Sequence, residues 1–294
     1  MKNEFDLCDI PLGKIASMKE SNPELISENA TYRTIYLGLT MKKVDKDGKP
    51  VDAGPLASNL KLRQAINHAI DREYICTKVM SGSAVPANSI LPPGMLAHDP
   101  NLKGWTFDPA KSKALLAEAG FPGGAGLPTF TLMHRNNPDT KLVASAIQHD
   151  LGEVGIKIDI QALDWSTFLD RVKRDPPDLF TLSWIADYND SDNFLFFLFH
   201  TNNIGSSNET RYSNPEVDHW LDEARSIVDT AKREEIYRKT EKKIMADLPW
   251  VLLFFPKNII LIHKNVLNVR GKLTPLDVGT GLNQLEFAEV DLGD

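Results

Sequence analysis

Apolar and polar residues alternate with a period of two in three short segments of the chain. These segments are 31–40, 128–134 and 156–162. The alternation predicts β-strands that each bury one face. A fourth segment, 178–186, is mainly apolar, which is typical of a strand buried on both faces. Near the end of the chain, 250–255 and 259–263 predict two strands that pair with each other.

Apolar residues recur every three or four positions in the segments between and after these strands, which predicts helices. The helical segments are 59–81, 108–119, 138–154, 165–174, 193–199, 213–228 and 230–247. Asn59 and Thr230 are predicted caps of the helices that they begin. Asp108 followed by Pro109 is a favoured helix start, and Gly120 is a favoured stop. Residues 128–186 follow the order strand, helix, strand, helix, strand. This order predicts an α/β layer whose strands are parallel and joined by helical crossovers.

Polar residues follow two of these strands. The first strand ends at His134 and Arg135, and the third is followed by Asp187, Tyr188 and Asn189. Ligands of open parallel sheets bind beyond the carboxyl ends of the strands. We therefore expect both groups at the same edge of the sheet, where they form a candidate ligand site.

The composition narrows the class of function. The chain has 294 residues, of which 42% are hydrophobic and 25% charged, enough for two ordinary domains with a large core. Its 33 Lys and Arg against 40 Asp and Glu give a net charge of −7, which argues against nucleic-acid binding. No segment approaches the ~20 apolar residues of a membrane helix. Charged residues within 1–10 argue against a signal peptide there.

Catalytic and metal-binding signatures are missing from the sequence. It has no nucleophile elbow, no phosphate-binding loop, and no His-x-x-x-His or Cys-x-x-Cys pair. The two cysteines, Cys8 and Cys76, are too few for a disulfide framework. We predict a protein that is not an enzyme and that holds no cofactor or metal.

Five segments carry motifs that occur together in one protein family. They are LRQAINHAIDR at 62–72, PANSILPP at 86–93, FDPAKSKALLAEAGF at 107–121, WIADY with DNFL within 184–195, and RYSNPEVD at 211–218. In this order they resemble the bacterial extracellular solute-binding proteins of family 5, the peptide/nickel class. Members of this family are receptors of ABC importers.

The resemblance implies a fold and a division of the chain. The fold is a periplasmic-binding-protein-like α/β lobe of class II, cluster C, with a parallel or mixed sheet flanked by helices and with hinge strands from another lobe. Residues 1–40 would be the end of the first lobe and a hinge strand, 41–250 the second lobe, and 251–294 the return to the first lobe. Family members are roughly twice this long, so we expect an N-terminal half and a signal peptide upstream.

The resemblance also implies roles for individual residues. In oligopeptide-binding members, the acid at the position of Asp187 pairs with the peptide's α-amino group, and a charge-assisted hydrogen bond suits this pairing. The alternative is a loop acid that caps the following helix. Some relatives use a basic residue in the loop of His134 and Arg135 to hold the ligand carboxylate, and an Arg fork fits this group. Other members place a basic residue where this chain has Thr181, so the sequence does not decide which residue binds the ligand's C-terminus.

Three further residues complete the predicted ligand site. Trp184 is either a wall of the ligand pocket or part of the core, and Tyr188 and Asn189 are either polar contacts at the rim or turn residues.

The function that the resemblance implies is solute binding between two lobes, with delivery of the cargo to a membrane permease. The expected ligand is an oligopeptide, and nickel chelates, haem and oligosaccharides are alternatives because the fold hosts all of them. A ligand-sensing regulatory domain of the same fold is a second hypothesis. We expect a periplasmic or cell-surface location, with membrane contact only through the permease or a lipid anchor outside this chain.

Overall fold

The computed structural model describes residues 7–44, 49–262, 266–268 and 290–292. The strands are β1 (Leu7–Asp9), β2 (Ile26–Ala30), β3 (Arg33–Leu39), β4 (Lys43–Val44), β5 (Pro50–Val51), β6 (Ala84–Pro86), β7 (Phe130–Arg135), β8 (Ile158–Leu163), β9 (Leu179–Ile185), β10 (Trp250–Ile262), β11 (Val266–Asn268) and β12 (Val290–Leu292). The helices are α1 (Ile15–Ser21), α2 (Pro55–Ser58), α3 (Leu60–Ala69), α4 (Arg72–Tyr74), α5 (Pro109–Glu118), α6 (Pro138–Glu153), α7 (Trp165–Arg174), α8 (Asp192–Phe199), α9 (Pro215–Ser226) and α10 (Thr230–Asp247).

The central sheet is mixed, with the strand order β1-β10-β3-β9-β7-β8. Strand β7 pairs in parallel with β8 on one side and with β9 on the other, as the strand–helix–strand order predicts. Strand β3 then adds to β9 in antiparallel, with Arg33 opposite Ile185. Strand β10 pairs antiparallel with β3. The sheet is therefore parallel in one half and antiparallel in the other.

Helices cover both faces of this sheet. One face packs Leu37 and Leu132 against α3, α5 and α6. The opposite face packs Tyr36 and Phe180 against α7, α8, α9 and α10. Alternation along each strand sends successive side chains into these two cores. The three-layer arrangement confirms the predicted α/β lobe with a mixed sheet flanked by helices.

Close packing at the centre of the sheet requires a glycine. A β-carbon at Gly38 would collide with the ring of Phe180 on the neighbouring strand. Tyr36 stacks on Trp250 with ring centroids 3.4 Å apart, which joins β3 to β10. Both contacts lie in the core that α7 to α10 cover.

The helix predicted over 59–81 is broken. Helix α3 starts after Asn59, which accepts a hydrogen bond from the Leu62 amide as expected, but it ends at Ala69. The backbone turns extended at Ile70, and Asp71 caps a second helical segment through the Tyr74 amide. This segment begins with α4 and continues as a π-helix over Ile75–Val79. The break follows from Asp71, because a short acidic side chain favours capping over a helix interior.

The two strands predicted at 250–255 and 259–263 are one strand, β10, as far as Ile262; His263 lies outside the described residues. Its first half pairs with β3 and β6, and its second half pairs with β1 and β2. Pro256 lies between the part of β10 that pairs with β3 and the part that pairs with β2, and it is itself paired with Ala84 of β6. The predicted division of the chain at residue 250 stays a prediction, although it falls on the first residue of β10.

A smaller correction concerns the start of α10. Thr230 is the first residue of this helix, and its capping residue is Asp229, whose side chain accepts from the Lys232 amide.

Candidate functional site

The predicted site residues leave the sheet at one edge. Strands β7 and β9 are parallel and adjacent, so Arg135 at the end of β7 and Asp187 after β9 lie on the same side of the layer. Strand β3 runs the other way and begins at this edge, with Arg33 opposite Ile185.

Asp187 opens a segment that we call the acidic loop, residues 187–192. Its side chain is exposed, and its carboxylate Oδ2 accepts from Nδ2 of Asn193 at 3.3 Å. The backbone amide of Asp187 donates to Oδ1 of Asn193 at 3.1 Å. Asp187 does not cap α8, whose N-cap residue is Ser191. Among the described residues, no Lys or Arg forms an ion pair with Asp187.

Two aromatic residues near Asp187 are hydrogen-bonded to the first turn of α8. Trp184 is half-buried, and its indole N–H donates to Oδ1 of Asn193 at 2.8 Å. The Tyr188 hydroxyl donates to Asp192 at 2.9 Å; desolvation and this carboxylate raise the pKa of Tyr188 to about 12. Asn189 is exposed and donates weakly to the Tyr32 hydroxyl at 3.4 Å.

The other two acids of the loop are neutralised by arginines from α9 and α10. Asp190 receives two hydrogen bonds from Arg233, each of 3.0 Å. Asp192 lies 3.1 Å from Arg225. These contacts fix the loop. Asp187 is the loop carboxylate that has no cation partner among the residues that the structure describes.

An open cavity of about 590 Å³, which we call the edge cavity, lies at the same edge of the sheet. The polar and charged residues of its wall that bear on ligand binding are Asp9, Arg33, Arg135, Asp139, Thr181 and Lys257. They come from β1, β3, β7, α6, β9 and β10. The cavity therefore lies between the parallel half of the sheet and the strands that pair with the end of β10.

Of the two predicted basic residues, only Arg135 reaches the cavity. Arg135 is exposed, and its guanidinium carbon lies 5.3 Å from the centroid of the Trp165 ring. His134 is 1% exposed, and its Nδ1 lies 2.7 Å from the carbonyl oxygen of Arg135. His134 lies on the face of β7 that α6 covers, with Nδ1 3.3 Å from the Thr140 hydroxyl, so the structure does not place it against a ligand in this cavity.

Sequence reasoning missed Arg33. Its guanidinium donates to the Ser183 hydroxyl from Nε at 3.1 Å and from Nη2 at 2.8 Å. Desolvation and the nearby charge of Arg135 lower the pKa of Arg33. The signal in the sequence was an arginine at the start of an otherwise apolar strand, but only the pairing of β3 with β9 brings it to the site.

Two general properties concern the described ranges only. No group of three or more His, Cys, Asp or Glu side chains there is arranged to hold a metal ion. None of the helices in that part of the chain combines the length and the apolar character needed to cross a membrane.

Comparison with known proteins decides the family. A family model described as "Bacterial extracellular solute-binding proteins, family 5 Middle" matches residues 1–206. The chain belongs to this family. A solved structure resembles the fold over nearly the whole chain. The ABC transporter-associated periplasmic binding protein DppA of Helicobacter pylori, in complex with the peptide STSA, superposes with a TM-score of 0.77. That structure is 26% identical in sequence, over 99% of this chain and 53% of the other.

Relatives in this family carry names for different cargoes. Heme-binding protein A of Haemophilus influenzae is 29% identical over 85% of this chain and 45% of its own length. The dipeptide-binding protein of Escherichia coli is 28% identical over 86% of this chain and 46% of its own length. The chain spans about half the length of these relatives.

Proposed function

We propose that the protein is the solute-binding component of an ABC importer and that it binds peptides for delivery to a membrane permease. Dipeptide-binding and peptide-bound members of the family support a peptide as the cargo. The extracellular family supports a location in the periplasm or at the cell surface. In this role the protein binds and releases its ligand without chemical change.

The observation that carries the proposal is the carboxylate of Asp187, which forms no ion pair within the described part of the chain. It is exposed at the ligand edge of the sheet, and its position is fixed by Asn193 on α8. A positioned carboxylate without a cation is suited to bind the α-amino group of a peptide by a charge-assisted hydrogen bond. Arg135, at the same edge, is suited to bind the terminal carboxylate with its planar fork.

The experiment measures thermal unfolding of the full-length protein with short peptides that carry either a free or an acetylated N-terminus. A ligand that binds only the folded state raises the midpoint by mass action. We expect free peptides to raise it, and we expect acetylation of the peptide or Asp187→Asn to remove most of the rise.

Asp170→Asn is the matched control, because Asp170 is an exposed carboxylate on α7 that pairs with Arg174. It should keep the full response to peptide. If peptides with free and acetylated N-termini stabilise the protein equally, Asp187 does not bind the amino group. If no peptide moves the midpoint, the cargo is of another class.

A further inference from the structure

Arg33 is a second cation in the edge cavity, and a single terminal carboxylate does not require it. We propose that Arg33 and the hydroxyl of Thr181 bind a second anionic group of the ligand, so that the site prefers peptides that end in Asp or Glu. The inference rests on the proposed function, since it assigns the terminal carboxylate to Arg135.

Arg33 is oriented but not neutralised. Two of its N–H groups donate to the Ser183 hydroxyl, which is an uncharged acceptor. A guanidinium carries five N–H donors, so three are left for other partners. In the described part of the chain, no Asp or Glu lies within ion-pair distance of Arg33. The pairing with Ser183 therefore fixes the direction of the fork while its charge stays available.

Thr181 supplies a second, independent sign of a ligand. The residue is 6% exposed, and its hydroxyl Oγ1 has no hydrogen-bond partner among the described residues, although it lines the edge cavity. Buried hydroxyls without a partner are uncommon in folded proteins. Thr181 and Ser183 alternate onto the same face of β9, opposite Leu37 and Ile35 of β3. The free hydroxyl and the Ser183 that holds Arg33 thus share one wall.

The charges around the cavity favour a ligand with two anionic groups. Arg33 and Arg135 repel each other, and this repulsion contributes to the lowered pKa of Arg33. Lys257, the third cation of the wall, is already engaged by Glu28 at 3.3 Å. A ligand with one carboxylate relieves the repulsion only in part, whereas a terminal carboxylate and an acidic side chain together match both arginines.

The wall also contains two acids, and they do not replace such a ligand. Asp9 and Asp139 are exposed, and neither forms an ion pair with Arg33 or Arg135. Their negative charge disfavours ligands that place a third anionic group in the cavity. The preference therefore concerns one acidic side chain, at the residue that bears the terminal carboxylate.

The test is isothermal titration of the full-length protein with two tripeptides, Ala-Ala-Glu and Ala-Ala-Gln, which have nearly the same shape. Wild-type protein should bind the Glu peptide about tenfold more tightly, the value of one charge-assisted hydrogen bond. Arg33→Gln should abolish this difference, so that the two tripeptides bind within about twofold of each other. Thr181→Val, which keeps the side-chain shape, should lower the ratio of the affinities for the Glu and Gln peptides roughly threefold.

Arg174→Gln is the matched control, since Arg174 is an exposed arginine on α7 that pairs with Asp170; it should keep the tenfold preference. Equal binding of the two tripeptides by wild-type protein would overturn this inference and leave the peptide-receptor proposal intact. A preference that survives Arg33→Gln would overturn the role of Arg33. Absence of binding by both tripeptides and by a mixed peptide library would overturn the proposed function itself.

Discussion

The acidic loop and the edge cavity flank the same strand, β9, and differ in whether their charged side chains form ion pairs within the protein. In the loop, Asp190 and Asp192 are neutralised by Arg233 and Arg225. In the cavity, Arg33 and Arg135 have no carboxylate partner among the described residues. Charges that are paired within the protein hold structure, whereas charges left unpaired at an accessible edge are available to a ligand.

Asp187 is the exception that connects the two regions. It belongs to the loop by sequence, but like the cavity arginines it has no ion-pair partner among the described residues. A peptide has a cation at one end and an anion at the other. The unpaired charges at this edge are therefore of the kinds that the two ends of a peptide require.

The largest expected effect follows from removing the support of the acidic loop. Asn193 is fully buried, and its side-chain oxygen accepts from the Trp184 indole and from the Asp187 amide. Asn193→Ala leaves both donors without an acceptor, and each costs about 1–3 kcal/mol. We expect the free energy of unfolding to fall by about 3 kcal/mol, measured by chemical denaturation.

Asn189→Ala is the control for this prediction, because its side chain is exposed and makes one long hydrogen bond. It should change stability by less than about 0.5 kcal/mol. An equal loss in both variants would show that Asn193 does not organise the loop.

A pH profile of the free energy of unfolding tests whether a buried carboxyl group, Glu241, governs stability near neutral pH. Burial raises the pKa of Glu241 from 4.5 to about 7, although its carboxylate accepts from the Ile90 and Leu91 amides. The folded protein therefore binds a proton that the unfolded chain has lost between pH 4.5 and 7. Stability should fall as the pH rises through this window and level off above it.

Glu241→Gln should remove much of that fall, because the amide oxygen still accepts both hydrogen bonds and carries no charge. At pH 8 the variant should be more stable than wild type by roughly 2–3 kcal/mol, with the difference vanishing below pH 4.5. Chemical denaturation at a series of pH values measures this difference in stability.

Burial also raises the pKa of Glu209 to about 7, so Glu209→Gln should change the pH dependence of stability in the same direction. A flat wild-type profile would contradict both assignments.

The smallest expected changes in stability compare an arginine that binds the acidic loop, Arg233, with an arginine of the edge cavity, Arg135. Arg233→Gln removes two hydrogen bonds to Asp190, one to Tyr237 and one to the Ala224 carbonyl, and we expect a loss of about 1–2 kcal/mol. Arg135→Gln removes no ion pair and relieves repulsion with Arg33, so we expect a change within about 0.5 kcal/mol. Thermal unfolding without ligand compares them. Equal losses would mean that the cavity arginines are structural as well.

Much of the candidate site was predictable because strand and helix periods are local. The alternation over 128–134 and the mainly apolar run over 178–186 placed Arg135 and Asp187 at strand ends, and the parallel pairing follows from the helices between them. The capping residues Asn59 and Asp108 marked two helix starts correctly. The motifs of the sequence were also enough to indicate the family.

The ion-pair partners of the acidic loop were not predictable, because they come from distant parts of the chain. Arg233 on α10 binds Asp190 from 43 residues further along the chain, and nothing local links the two. The unbroken strand β10 depends on contacts made across the sheet, with β3 and β6 along its first half and with β1 and β2 along its second half.

The sequence by itself determined the α/β order, the net acidic character and the residues at the strand ends, since each depends on composition or on neighbours within a few positions. Only the tertiary structure decided which charges are paired. The antiparallel addition of β3 to β9 brings Arg33 beside Arg135 and Thr181, and the packing of α6 against β7 buries His134. Whether a charge is free for a ligand depends on what packs against it, and packing is settled between segments far apart in the chain.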